Sequence, residues 1–420
     1  MKAFRTGRRA AKAGVMLLVL TCATFSHGQG TSAMTLQQVV DLARTRNPML
    51  LAAEQNLRAV KAQEIQAGVR ANPLFTLYGT NVTLPAQGAS NPYAYSGQVS
   101  RLFELGQKRR WRLDGARATS DQTAAQYRDQ QRMTLFAVKE AFTNMVIAKA
   151  ALKLAQENLT DFRHEVDINR ERFNAGDIGK LDFERLDLQL AQFESDEAAA
   201  TVNLQQGSYQ LQALLGVAQP RDSFDVMGET VPPIVAETLT SLEQKALAAR
   251  PDYQAAIAQV RVADANVKLA AANGLADPTL EGEYDRSGTY NSAGFSISVP
   301  LRIFDRNQGN RQTARYQAQT VRFSQTAVLN QVHSDVAQAW VAYTVAKGLS
   351  DRYNAHYLDE SKDVLSIAQF AYDHGGIALI DYLDALRESR ATAANALNAY
   401  AQTWMAIHQM SLATATEMIP

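Results

Sequence analysis

Residues 173–182 read FNAGDIGKLD, and residues 372–381 read YDHGGIALID. The two stretches lie 199 residues apart and carry a glycine, an isoleucine and an aspartate at matching positions. The same offset also pairs leucines along the chain: Leu102 with Leu301, and Leu159 with Leu358. Matches without an insertion over such a distance indicate that the chain contains two copies of one unit. An internal repeat of this kind determines the architecture before any single element is assigned.

Each copy is predicted to run in the order helix, hairpin of two short strands, very long helix, turn, helix. The first copy covers residues 31–216 and the second covers residues 241–416. Residues 217–240 contain three prolines and are interpreted as the linker between the copies. A looser match, Asn47-Pro48 with Arg250-Pro251, lies near the start of each copy. The fold class is therefore predicted to be mainly α with a small β part.

The helices after the hairpins are predicted to be unusually long. Residues 116–175 contain neither glycine nor proline, and strong helix formers dominate the stretch. Apolar residues recur there every seven positions: Val138, Met145, Leu152, Leu159, Val166 and Phe173. This heptad pattern is typical of antiparallel helices that supercoil around one another. The second copy has a weaker apolar seam, in which Thr344 and Asp351 stand at positions expected to be apolar and Gly348 is an interruption. Considered alone, the long helices also fit an exported fibrous coiled coil.

The strand-like segments alternate between apolar and small polar residues. In the second copy Phe295, Ile297 and Val299 alternate with serines, and residues 279–286 are the predicted partner strand. The first copy pairs residues 74–84 with residues 93–100. One apolar face and one polar face fit a strand with lipid on one side and water on the other, although a small soluble sheet packed on the helices fits as well.

Four strands are too few to close a membrane barrel, which needs about eight or more. An open sheet would leave unpaired backbone groups in lipid, where they are too costly to persist. If these strands lie in a membrane, several chains must therefore build one barrel together.

The N-terminus predicts export. Residues 1–30 combine a basic start with an apolar run over residues 13–25, as in a signal peptide. The one cysteine, Cys22, lies inside this segment, and Thr21 before it disfavours lipid attachment. The chain has 42 basic and 42 acidic residues, so its net charge does not indicate nucleic-acid binding. No later apolar run is long enough to predict a transmembrane helix.

The sequence offers no catalytic or cofactor-binding motif. Its six histidines are scattered, without a pair at metal-ligand spacing on a helix, and it has no glycine loop for phosphate. We therefore expect no enzyme activity, no cofactor and no resident metal site. His374, in the second of the two quoted stretches, could touch a passing metal ion, but it is more simply a solvated turn residue.

Taken together, the duplication, paired hairpins and heptad helices resemble the TolC-type outer-membrane efflux factors. Four stretches carry the resemblance: residues 36–48 (LQQVVDLARTRNP), 102–109 (LFELGQKR), 173–182 and 372–385 (YDHGGIALIDYLDA). LFELGQKR is most similar to the heavy-metal branch, which is associated with cobalt, zinc, cadmium or copper export. Drug-export and general members share much of this pattern and remain the alternative.

The resemblance implies an assembly and a location. Three chains would form a homotrimer, with a trimeric α-barrel tunnel through the periplasm joined to a 12-stranded β-barrel in the outer membrane of a Gram-negative bacterium. Its partners would be outer-membrane lipid, a periplasmic adaptor (membrane-fusion) protein and an inner-membrane RND transporter that supplies the energy. The protein itself would be a passive exit duct.

The resemblance also implies roles for residues at the periplasmic tips. The turns would contact the adaptor through Gly176, Asp177, Ile178, Gly179, Gly375, Gly376 and Ile377. Asp381 and Asp384 would line the pore constriction, where three chains would place six carboxylates; the alternative is two solvated or helix-starting aspartates. Asp182 and Tyr372 would link neighbouring hairpins in the closed state. Ile377 stands where the family often has a basic residue, so this latch is expected to be weaker or built differently.

Overall fold

The computed structural model describes residues 33–80 and 93–418. The predicted signal peptide, Cys22 and the loop of the first hairpin lie outside the described residues. The described chain is mostly helical and contains one small antiparallel sheet, which confirms the predicted fold class.

Two helices precede the strands in each copy, where the sequence analysis expected one. They are α1 (Leu36–Arg46) and α2 (Pro48–Ala67) in the first copy, and α5 (Leu239–Ala249) and α6 (Pro251–Ala272) in the second. Each pair is divided at the X-Pro step, because a proline forces the residue before it out of the helical conformation. Asn47 and Arg250 accordingly have extended backbones, with ψ of 121° and 119°.

The two X-Pro steps are held in equivalent ways by different side chains. The Asn47 amide donates to the carbonyl of Leu214 at 2.7 Å, and the Arg250 guanidinium donates to the carbonyl of Ala413 at 3.3 Å. The two acceptors are again 199 residues apart. The repeat is therefore preserved in the packing even where its residues differ.

The four strands form a single sheet in chain order: β1 (Leu74–Thr80), β2 (Ala94–Leu102), β3 (Thr279–Ser287) and β4 (Tyr290–Ser298). The hairpins β1–β2 and β3–β4 are those predicted, and β2 pairs with β3 across the two copies. Within the described residues, β1 and β4 each have one edge without a partner strand.

The register gives the sheet two chemically different faces. Phe75, Val99, Gly282 and Phe295 lie in one cross-strand row, and the side chain of Phe295 is 83% exposed. On the other face β2, β3 and β4 carry serines, a glutamine and acidic residues, and β1 adds Leu74 and Tyr78. Since successive residues of a strand point to opposite sides, the predicted alternation becomes one mainly apolar surface, which includes Arg101 and Arg286, and one mainly polar surface.

The long helices form two hairpins. The first consists of α3 (Lys108–Ala175, 68 residues) and α4 (Lys180–Leu214). At about 1.5 Å per residue, α3 is about 100 Å long. The second hairpin consists of α7 (Gln308–Arg352), a π-helical turn (Tyr353–Tyr357), α8 (Leu358–Asp373) and α9 (Leu379–Thr414).

Gly348, which was expected to interrupt the apolar seam of the second copy, lies inside the second long helix. Helix α7 continues through it, and the departure from α geometry comes at Tyr353–Tyr357. A single glycine costs a helix only about 1 kcal/mol, which packing along the hairpin outweighs.

Three buried apolar clusters hold the chain together. One joins α1, α3 and α4, and an equivalent one joins α5, α7 and α9. A third cluster brings the two hairpins together near their tips, and the stacked rings of Phe162 and Phe193 lie in it with centroids 4.4 Å apart. The predicted heptad residues Val138, Met145 and Val166 are among the most buried in the first hairpin.

Candidate functional site

The first helix turn at the tip is closed by glycine. Gly176 has a φ of 86°, a conformation that only glycine adopts readily, and the N–H of Asp177 returns to the carbonyl of Arg172 at 2.8 Å. Gly179 then precedes α4 with an extended backbone. Gly176, Asp177 and Gly179 are exposed, whereas Ile178 is half-buried.

The second turn repeats this solution. Gly375 has a φ of 71°, and the Gly376 N–H donates to the carbonyl of Ala371 at 2.6 Å. Ile377 packs against the tip cluster rather than facing water. A partner that reaches these tips would therefore meet mainly backbone and the exposed polar residues of both turns.

Asp381 and Asp384 both lie exposed on the first turns of α9. The Asp381 carboxylate accepts a hydrogen bond from the Ala378 N–H at 3.3 Å, so it stabilises the start of the helix. The Asp384 carboxylate lies 2.9 Å from the Arg387 guanidinium. Both carboxylates are exposed, and each has a local partner within the chain, so their place in a pore constriction stays a prediction.

Tyr372 connects the two hairpins through Asn169, a residue that the sequence analysis missed. Its phenol donates to the Asn169 side-chain oxygen at 2.9 Å, and its ring stacks on Tyr382 at 5.3 Å. Asp182 instead lies 3.7 Å from Arg185. The closed-state role of Asp182 and Tyr372 stays a prediction, and within this chain the hydrogen-bonded partner of Tyr372 is Asn169.

A buried carboxyl group supports this connection. Asn169 is fully buried on α3 and donates to the Glu165 carboxylate at 2.8 Å. Burial raises the pKa of Glu165, and the nearby charge of Asp373 raises it further. Burial also raises the pKa of the Tyr372 phenol. The signal was present in the sequence, because Glu165 and Asn169 lie one turn apart on the apolar stripe of α3.

The polar face of the sheet carries three acidic residues in alternation. Glu281, Glu283 and Asp285 lie on β3 and point to the same side, and Ser96 on β2 donates to Glu283 at 3.0 Å. If this face lines a pore, these carboxylates would favour cations along its wall. The sequence analysis treated this strand only as a hairpin partner.

The histidines do not form a metal site in the described part of the chain. The His374 ring packs against the Phe370 ring at an angle of 32°, and its Nδ1 lies 2.8 Å from the Phe370 carbonyl oxygen. Across residues 33–80 and 93–418, no three histidine, cysteine, aspartate or glutamate residues lie together as metal ligands would. None of the helices in these residues is both long and apolar enough to cross a membrane.

Comparison with known proteins identifies the family. Residues 39–217 and 242–416 match the family described as "Outer membrane efflux protein", so both repeats are covered. The cobalt-zinc-cadmium resistance protein CzcC of Cupriavidus metallidurans is 25% identical over 380 residues, which is 90% of this chain and 89% of CzcC.

Solved structures share the fold. A membrane protein from Pseudomonas aeruginosa superimposes with a TM-score of 0.79 at 20% identity, over 90% of this chain and 92% of that protein. The CusC structure, described in connection with transmembrane channel formation, gives 0.75 at 20% identity over 90% and 91% of the two chains.

Proposed function

The chain belongs to the outer membrane efflux protein family, and on that premise we propose that it is the trimeric exit channel of a tripartite efflux pump. An inner-membrane RND transporter supplies substrate and energy, and a periplasmic adaptor joins that transporter to the channel. The channel itself is passive and catalyses no reaction.

One observation carries this proposal: within the described residues the four-stranded sheet has a mainly apolar face and two edges without a partner strand, and it is attached to helix hairpins, of which α3 alone is about 100 Å long. The edges can be satisfied in lipid only by strands of further chains. Three chains supply twelve strands, which is enough to close a barrel. The hairpins then extend away from the membrane as the wall of a tunnel.

Heavy-metal cations are the proposed substrate. The similarity to CzcC supports this assignment, since that relative is named for cobalt, zinc and cadmium resistance and aligns with nearly the whole chain. The exposed pair Asp381 and Asp384 would place six carboxylates around the entrance in a trimer, which attracts cations. The acidic strand β3 would continue this preference towards the exit.

We propose that the channel opens when the tips of the hairpins move apart. The adaptor would contact the exposed parts of both turns, at Gly176, Asp177, Gly179, Gly375 and Gly376. The buried bond from Tyr372 to Asn169 opposes that separation, because it ties the second hairpin to the first. A docked adaptor would have to outweigh it.

Single-channel recording tests the pore assignment. The double variant Asp381→Asn and Asp384→Asn is expected to lose most of the block that divalent cobalt or zinc causes in the wild type. The matched control replaces two exposed aspartates of α8, Asp359→Asn and Asp363→Asn, and should leave the block unchanged. Equal block in the wild type and the tip variant would refute the carboxylate ring.

A second measurement separates the substrate classes. Deleting the gene from its host should raise sensitivity to cobalt, zinc or cadmium salts, and the wild-type chain should restore resistance. Sensitivity to organic antibiotics alone would favour a drug or general export duct. If the protein were found in the soluble fraction without a pore, the exported coiled-coil alternative would be favoured instead.

A further inference from the structure

A basic groove lies where the sheet gives way to the helices of the second repeat. It has a volume of about 710 Å³ and is lined by four cationic side chains, a tryptophan and a leucine: Lys268, Arg302, Arg306, Arg311, Trp111 and Leu275. Residues from the end of α6 and the starts of α3 and α7 meet there. We propose that this groove binds the phosphate group of an anionic phospholipid in the inner leaflet of the outer membrane.

The groove is built by close backbone contacts. The Asn307 side chain donates to the Ala270 carbonyl at 2.8 Å, which fixes the start of α7 against the end of α6. At Gly274 a Cβ atom would lie 2.9 Å from the Arg306 carbonyl oxygen, so only glycine permits this approach. The cations are therefore presented by a defined surface.

Its four cations have no acidic partner within ion-pair distance in the described part of the chain. Acidic groups nearby are already engaged: Asp277 lies 2.6 Å from Lys108, and Asp264 lies 2.7 Å from Arg322. Lys268 instead lies over the ring of Trp111, 4.9 Å from its centroid. Arg302 is near enough to the Asp277 carboxylate to help lower its pKa, but none of the four cations is in a close ion pair with the residues that the structure describes. Several such cations around one groove favour a multiply bonded anion such as phosphate.

Position in the fold selects a lipid as the source of that phosphate. Strand β4 ends at Ser298, and Arg302 follows four residues later. Beside it Leu301 is 81% exposed and Phe304 is 90% exposed. This step rests on the proposed channel function, in which β4 spans the outer membrane. Apolar side chains next to cations and a tryptophan, just past the end of such a strand, match the boundary between acyl chains and headgroups.

A second copy of the chain is a poorer occupant. In a rotationally symmetric assembly each copy presents the same residues at the same height. The corresponding junction of the first repeat would come alongside, and it carries Arg70, Arg101 and Arg109. Glu64 and Glu104 lie in the same region, so the junction has more cations than carboxylates and offers the groove no complementary charge.

Native mass spectrometry of the detergent-purified, full-length assembly tests this proposal, with phosphatidylglycerol and phosphatidylcholine added in equal amounts. The wild type should retain phosphatidylglycerol in preference, and the preference should weaken as sodium chloride is raised. Each cation removed should weaken the binding of phosphatidylglycerol about fivefold at low salt. This factor follows from the attraction of roughly 1 kcal/mol between one basic residue and an anionic lipid surface. The groove variant carries Lys268→Gln, Arg302→Gln, Arg306→Gln and Arg311→Gln.

The control removes four exposed cations far from the sheet: Lys153→Gln, Arg163→Gln, Lys180→Gln and Lys362→Gln. It should retain the lipid as the wild type does. Equal retention by the groove variant, or no preference in the wild type, would overturn the proposal. So would displacement of the lipid by inorganic phosphate at equal concentration, which would identify the free anion as the ligand.

Two further outcomes are decisive. If the groove variant dissociates into single chains in lipid-free detergent, the groove is covered by a neighbouring copy and the lipid assignment is wrong. If the fourfold variant does not fold, the single change Arg306→Gln and the salt dependence of the wild type decide the same question. Neither readout involves export activity, so failure here leaves the proposed channel function standing.

Discussion

His408 should make the stability of this protein fall in mild acid. The ring is buried between α9 and α3, and its Nε2 lies 2.9 Å from the Thr143 hydroxyl. Burial lowers the pKa of His408 from 6.5 to about 4, and the charge of Lys139 acts in the same direction. The folded state therefore binds fewer protons than the unfolded state. The contribution of the neutral His408 ring to the free energy of unfolding is fully present above the pKa of histidine in the unfolded chain. It is lost as the pH falls below that pKa.

The size of the effect follows from the two pKa values. Between pH 7.5 and pH 5, protonation of the unfolded histidine should remove about 2 kcal/mol of the free energy of unfolding. The variant His408→Gln can keep a hydrogen bond to Thr143 but cannot titrate. The difference in free energy of unfolding between wild type and variant should therefore change by about 2 kcal/mol over this range.

Chemical denaturation of both proteins at several pH values measures that difference. Other titrating groups cancel because they are present in both chains. If the stability of wild type and of His408→Gln falls equally in acid, His408 is not held neutral by burial in the folded protein.

Three smaller predictions concern backbone strain and the tip. Ala415 ends α9 with a φ of 55°, so Ala415→Gly should stabilise the chain by about 1 kcal/mol. Gly216, 199 residues earlier, should not tolerate alanine, because the new Cβ would lie 2.6 Å from a backbone oxygen. Thermal melting checks both variants, and a lower melting temperature for Ala415→Gly or a higher one for Gly216→Ala would contradict the strain argument. Because the pKa of Glu165 is raised in the folded protein, the wild type should lose stability relative to Glu165→Gln as the pH rises. Chemical denaturation at several pH values measures this difference. A difference in denaturation midpoint that stays constant with pH would count against a buried carboxyl group. Tyr372→Phe removes the phenol that donates to Asn169, at a cost of about 1 kcal/mol. Channel opening in single-channel recordings should then become about fivefold more frequent. An unchanged opening frequency would mean that this hydrogen bond does not hold the two hairpins together.

The sequence predicted the large features because they depend on local patterns. The heptads through Val138 and Val166 indicated the long helices, and the alternation around Phe295 indicated the strands. Both signals are periodic and short in range. The division between α1 and α2 could have been predicted from Asn47-Pro48, because a proline restricts the residue before it. It was missed because the sequence on both sides of this step has a helical pattern.

Features that depend on long-range contacts could not be predicted in this way. The pairing of β2 with β3 joins residues almost 200 positions apart, and nothing local specifies that register. At the tip, the exposure of Asp381 and the positive φ of Gly176 follow from local sequence. The choice of Asn169 as the partner of Tyr372 depends on how two hairpins pack, which no single segment determines.

The central claim is that several chains share one membrane wall, because in the part of the chain that the structure describes β1 and β4 each have one edge without a partner strand. Native mass spectrometry of the protein extracted from outer membranes tests it most directly. The account predicts a mass of three mature chains that persists in detergent. A stable particle containing a single chain, and conducting ions as such in a lipid bilayer, would contradict it.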